Sequence, residues 1–403
     1  MKRVIACALA VLCLLPLGGC RGKDKTEEDG GAITLRVWGS QDDQQLLREI
    51  CTDFAAANPD KKYTFRFGVV GEGDAKKTFL DDPAAAADVF HFSDDQLADL
   101  VAAGALAQIG GEYRERAERE NGAGSVGASM IDGKLYAFPA TADNGYFLYY
   151  NKKYFDTPPD TLDDILAACN TERKFAMKLS DSWYCASFFL TAGCTFSPDK
   201  TIDWNSAAGL AAAEAMNALC RDSRFVCFTA DYDSSMISAF GDGSVIAAVS
   251  GTWTADKIAS EIGAENLGAA KLPKVKIGGV EMQMRGFAGY KLVGVNASSA
   301  YAEDAVKLAA WITNEENQMK RFTERAAGPA NIKAAESGAV KANVALAALS
   351  EQLQYSVSQN FVPASYWTAA EGFGTDLVSG SVPDSALREK LDTLVQVVNT
   401  PIG

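Results

Sequence analysis

Histidine is nearly absent from this chain: His91 is the only one in 403 residues. Catalysis of the Ser-His-Asp or Cys-His kind would rest entirely on that residue. His91 alternates with Val89 in a short apolar run, VFHF, so it reads as a packed side chain. No CxxC spacing occurs, and without partner histidines the cysteines do not compose a zinc site. Clusters of Lys and Arg are missing too. The 38 cations are outnumbered by 52 anions, for a net charge of −14. That balance argues against nucleic acid or an anionic lipid surface as a partner, since both need grouped basic residues. After the first 20 residues, no apolar run approaches the ~20 residues of a membrane span. No internal repeat or low-complexity segment stands out.

The N-terminus has a distinct character. Lys2 and Arg3 precede an uncharged run over residues 4–17. This run of about 14 residues is too short to span a bilayer and suits a secretory h-region. It ends in Leu17-Gly18-Gly19-Cys20, which resembles the bacterial lipobox. The resemblance implies a signal peptide over residues 1–19 and a lipidated Cys20. Residues 20–32 include RGKDKTEEDGGA, charged and Gly-ended, with nothing to bury; they read as a flexible tether. The expected location is extracytoplasmic, anchored to the cell membrane by lipid alone.

Cys7 and Cys13 leave with the signal. Cys51, Cys169, Cys185, Cys194, Cys220 and Cys227 remain. An even count outside the cell permits disulfides. The short loops Cys185/Cys194 and Cys220/Cys227 are the first pairs to expect, with free buried thiols as the alternative.

The mature chain, about 380 residues, is too long for one ordinary core, so two lobes are expected. Ile33, Leu35 and Val37 alternate as a strand. Leu46, Leu47, Ile50 and Phe54 follow at helical spacing, and Asn58-Pro59 stops the helix. Tyr63, Phe65, Phe67 and Val69 alternate again, and AADVFHF reads as a third strand. A helix over residues 96–103 should end at Gly104. Strand and helix alternating at this spacing imply a parallel sheet with right-handed crossovers. Ligands bind beyond the carboxyl ends of such strands. Two Asp- and Gln-bearing loops, VWGSQDDQ and FSDDQ, would share that rim. Trp38, still inside the strand, reads as core. A second α/β region begins with the hairpin around Asp132-Gly133, and the last third is mostly helical.

Together, the lipobox, ITLRVW, AADVFHFSDDQLADLVAAGALAQI, GKLYAFPATADNGYFLYYNKKYF, SGTW, GFAGYKLVGVN and SYW resemble extracellular solute-binding proteins of sugar ABC importers. Maltose/maltodextrin-binding lipoproteins are the nearest in look. The resemblance implies an α/β fold, two-lobed and periplasmic-binding-protein-like, with a central ligand cleft and hinge crossovers. It implies an N-terminal lobe of 33–142 plus 292–337 and a C-terminal lobe of 143–291 plus 338–403. Carried over by motif, the expected ligand-binding residues are Ser40, Gln41, Asp42, Asp43, Phe92, Asp95 and Gln96. The crossover acid falls on Asp143 or Asn144; Asp181, Trp183, Tyr184, Trp253 and Trp367 complete the set. Phe92 stands where a Trp is usual, and Asp43 where maltose binders often carry Lys. No cofactor or metal is expected. The implied partners are an oligosaccharide and the transmembrane permease subunits, with the protein itself a monomer.

The chemistry supports a polyol independently. Flat aromatics cover the C–H face of a sugar, and carboxylates accept charge-assisted hydrogen bonds from hydroxyl pairs. An enzyme is not expected, because adjacent pairs such as Asp94-Asp95 point in different directions. GEGDAKKT faintly echoes a phosphate loop but lacks the Gly before the Lys. A polyamine would also suit acids and aromatics, and a receptor serving a membrane sensor is the other alternative.

Overall fold

The computed structural model describes residues 31–400. The signal segment, Cys20 and most of the tether lie outside the described residues. Among the described residues no helix is long and apolar enough to cross a membrane.

Two mixed sheets organise the molecule. In the first, Ile33–Gly39 lies between Tyr63–Val69 and Val89–Ser93, parallel to both. Gly286–Val295 then runs antiparallel to Val89–Ser93 and pairs Ala137–Gly145. Ser356–Ser358 adds a short parallel strand beside it. The expected parallel sheet is therefore present, extended by antiparallel strands from later in the chain.

Strand alternation decides what each face buries. Leu35, Val37, Val293 and Val295 meet Leu46, Leu47, Ile50 and Phe54 of the helix Gln44–Ala57, and Leu308 and Ile312 of the helix Ala302–Ile312. Each large side chain taken from water in that layer contributes roughly 1.5–3 kcal/mol. Phe90, Phe92 and Leu292 point to the opposite face and pack on Phe79, Leu97 and Leu100. Trp38 packs edge-on against Phe79 and Phe90, as a core residue should. The hairpin turn is held by positive φ at Asp132 and Gly133, the left-handed conformation that a DG pair tolerates.

The second sheet is built from Leu267–Ala270, Phe147–Asn151, Val245–Ser250, Lys174–Ala176 and Phe225–Val226, in that order. Its faces bury two further apolar layers, one around Phe175, Phe188 and Trp204, the other around Phe147, Tyr149 and Phe240. A single residue, Tyr146, separates the last strand position in the first sheet from the first in the second. The chain crosses again near residues 284–286. The expected divisions at 142/143 and 291/292 fall inside the strands Ala137–Gly145 and Gly286–Val295, and Ser356–Ser358 also pairs into the first sheet.

The expected short-loop disulfides are not formed: all six described cysteines are free. Cys185 sits on the helix Ser182–Thr191 with its sulfur 3.8 Å from that of Met216, inside the apolar layer. Burial pushes the Cys51 thiol up to about 12 and those of Cys169 and Cys194 to about 11. They remain protonated and unreactive at neutral pH.

Candidate functional site

A cavity of about 160 Å³ opens between the two sheets. Ser40 and Asp43 reach it from beyond the first strand, and Asp143 and Asn144 from the end of Ala137–Gly145. Thr252 and Trp253 close it from the second sheet. Two other hollows are larger. One is an apolar groove of about 470 Å³ along Pro329, Ile332 and Leu353; the other, of about 260 Å³, lies beside Leu162 and Arg224. Neither joins aromatic rings to converging acids, so the cleft is the candidate site.

The aromatic side of the cleft is formed by two tryptophans. Trp253 is 45% exposed, with its ring centroid 6.1 Å from that of Trp183. Its Nε1–H donates to Asp233 at 2.8 Å. Its ring lies over Gly251, where a Cβ would come within 1.8 Å of the ring, so the Gly-Thr-Trp order is needed to seat it. Trp183 is placed by the N-terminus of the helix Ser182–Thr191. The Asp181 carboxylate caps that helix by accepting from the Trp183 N–H at 2.8 Å. The Trp183 indole N–H donates to Gln359 at 3.1 Å. The Gln359 amide lies beside Asn144 over Gly289, where a Cβ would come within 2.8 Å of Gln359 and 2.4 Å of Asn144.

The polar side is a charge network. Arg321 is 3% exposed and lies between Asp43, at 3.3 Å, and the His91 Nε2, at 3.2 Å. The His91 Nδ1 lies 3.1 Å from the Trp38 carbonyl and donates to it, leaving Nε2 to accept from Arg321. Burial, reinforced by Arg321, depresses the His91 pKa and keeps the ring neutral. Burial works against ionising Asp43. Arg321 leads the opposing charges, helped by Arg325, and the net effect holds Asp43 below its usual range. Asp143 accepts from the Thr141 hydroxyl at 2.6 Å and from the Gly328 N–H at 3.0 Å.

The expected residues fall into three groups. Ser40, Asp43, Asp143, Asn144 and Trp253 line the cavity, and Trp183 adjoins it through Trp253. Gln41, Asp42 and Asp95 are exposed, and Asp42 pairs with Arg325 at 3.2 Å. The others have packing or framework roles. Phe92 is fully buried against Phe90. This corrects its expected contact role, because strand alternation puts it on the core face. Gln96 spends both ends of its amide on the loop before it, accepting from the Lys76 N–H and donating to the carbonyls of Glu72 and Gly73. Tyr184 is 5% exposed among Tyr146 and Tyr232. Asp181 serves as a helix cap. Trp367 is half-buried against Phe287 and Tyr366 and does not line this cavity. The sequence reading missed Glu72, Lys291, Arg321 and Arg325, which all line it. Glu72 lies in GEGDAKKT and Lys291 in GFAGYKLVGVN, while both arginines are on the helix Glu315–Arg325; none of these stretches locally marks a cleft residue.

Two α/β lobes with a polar and aromatic cleft between them define a two-lobed binding protein. Residues 49–348 match the bacterial extracellular solute-binding proteins, and the chain belongs to that family. It is 25% identical, over 98% of its length and 97% of the relative's, to the galactooligosaccharide-binding protein of Bacillus subtilis (strain 168). A solved structure described as "with acarbose" is 32% identical, covers 92% of this chain and 99% of its own, and superposes with a TM-score of 0.82. The maltodextrin binding protein MalE1 from L. casei BL23 without ligand is 24% identical over 92% of this chain and 100% of its own, with a TM-score of 0.83. The family, the Bacillus subtilis relative and MalE1 are binding proteins, not enzymes.

Proposed function

We propose that this protein captures maltodextrin-type oligosaccharides outside the cell and delivers them to the permease subunits of an ABC importer. In this reading Ser40, Asp43, Asp143, Asn144, Trp183 and Trp253 contact the sugar. The carrying observation is the cleft itself: an exposed Trp253 beside Trp183, in one hollow with the buried Asp43 and Asp143 and the half-buried Asn144. A sugar ring laid on Trp253 would meet hydroxyl partners on the opposite wall. The oligosaccharide ligands named for the relatives support the same class of cargo.

Calorimetry against α-glucans, β-galacto-oligosaccharides and polyamines tests this. Maltotriose and longer α-glucans should bind best; preferential binding of a polyamine would overturn the carbohydrate reading. Trp253 leaves roughly 100 Å² of ring open, and covering it contributes roughly 2–3 kcal/mol. Trp253→Ala should therefore weaken sugar binding about 30- to 150-fold and leave the ligand-free melting temperature nearly unchanged.

The anchor is part of the same proposal. The short apolar run, LGGC and the polar tether support lipidation of Cys20, with the protein a monomer held at the membrane by lipid alone. Cys20→Ala should block lipid attachment and lipoprotein-type cleavage; equal membrane retention with normal processing would refute the anchor.

A further inference from the structure

Two opposite charges line the cavity without meeting. Among the described residues, neither the Lys291 ammonium nor the Glu72 carboxylate makes an ion pair or a hydrogen bond, although both side chains line the hollow. Their neighbours are already engaged. Asp43 is held by Arg321 and Arg325, and both Asp143 oxygens accept from protein donors. His91 has both ring nitrogens occupied. Arg321, which also lines the hollow, has a buried Nη1 without a partner.

Both charges sit on well-anchored backbone. Lys291 is on the strand Gly286–Val295, in register with Ser93 on one side and Thr141 on the other. Glu72 is in the loop that Gln96 clamps at 2.8 and 2.9 Å. Asp143 first, then Glu72 and Asp43, raise the affinity of Lys291 for its proton, so the ammonium stays charged.

A free cationic donor and a free anionic acceptor in one hollow suit a group that both accepts and donates. A pair of neighbouring sugar hydroxyls does both: one oxygen accepts from the ammonium and the other O–H donates to the carboxylate. A carboxylate paired with Lys291 would leave Glu72 uncompensated beside it, and an amine paired with Glu72 would leave Lys291 uncompensated. We propose that Lys291 and Glu72 form a subsite for a hydroxyl pair of a neutral sugar ring, and that this pair selects against charged oligosaccharides. This rests on the carbohydrate reading above and deepens it.

The test uses the full chain, maltotriose as probe, and the variants Lys291→Met, Glu72→Gln and the double mutant. A hydrogen bond to a charged group corresponds to about 10- to 100-fold in affinity. Each single variant should lose that much, and the double should lose less than the product of the two. Wild-type affinity should change little with ionic strength, because a neutral ligand carries no charge to screen. Maltotriose analogues ending in a carboxylate or an amine should bind more weakly. Should Lys291→Met fail to fold, Lys291→Gln and Glu72→Gln carry the same readout. Single variants that bind maltotriose like wild type, while Trp253→Ala does not, would overturn the subsite and leave the carbohydrate reading intact. Tighter binding of a charged analogue would overturn it as well. Failure of wild type to bind any neutral oligosaccharide would instead defeat the underlying function.

Discussion

Asp94 shows how much one buried carboxyl can cost. It is 1% exposed; Oδ1 accepts from the Tyr290 N–H at 3.0 Å, and Oδ2 has no partner among the described residues. Burial pushes its pKa up to about 7. The unfolded value is about 3.9, so the folded state favours the proton. The stability tied to Asp94 is fully present below about pH 4 and is lost as pH rises to about 7. Above that the penalty is constant, on the order of 4 kcal/mol. Asp94→Asn keeps an acceptor for Tyr290 and removes the charge. It should raise stability by that order at pH 8 and change little at pH 4, as measured by urea unfolding at both pH values. An equal effect at the two pH values would show that shape, not ionisation, is responsible.

At the scale of elements, legibility followed periodicity and failed at convergence. The first three strands, their intervening helix and the DG hairpin could be read because alternation, helical spacing and turn chemistry are local. Phe92 is readable too: its alternation with His91 and Ser93 puts it on the same face as Phe90. Gln96 and Asp181 look like ligand contacts in sequence, since amides and acids suit a sugar. The fold spends one on clamping a loop and the other on capping a helix. Lys291 sits mid-strand within GFAGYKLVGVN and Arg321 mid-helix; neither local pattern points to a cleft, and only the tertiary fold brings them beside Asp43. The free thiols follow the same logic, because spacing in the chain does not report which sulfurs share an apolar layer.

For the whole molecule, the consequence is motion. The cleft walls belong to different sheets, and the chain crosses between those sheets at few points. Such an arrangement closes by hinge rotation. Small-angle scattering with saturating maltotriose should show a smaller radius of gyration than the ligand-free protein. An unchanged profile would favour rigid binding. Tyr146 sits where that rotation would pivot. Fully buried, it packs edge-on against Trp183 at 4.6 Å and donates its hydroxyl to the Trp183 carbonyl at 3.0 Å. The residue at that expected pivot and one indole of the candidate site are thus packed together as one unit. Displacement on a lever grows with distance from the fulcrum, so Trp183 would hold nearly still while the outer rim sweeps through the larger arc. The sugar would first rest against the stationary part of the machine, and the moving arm would come to it.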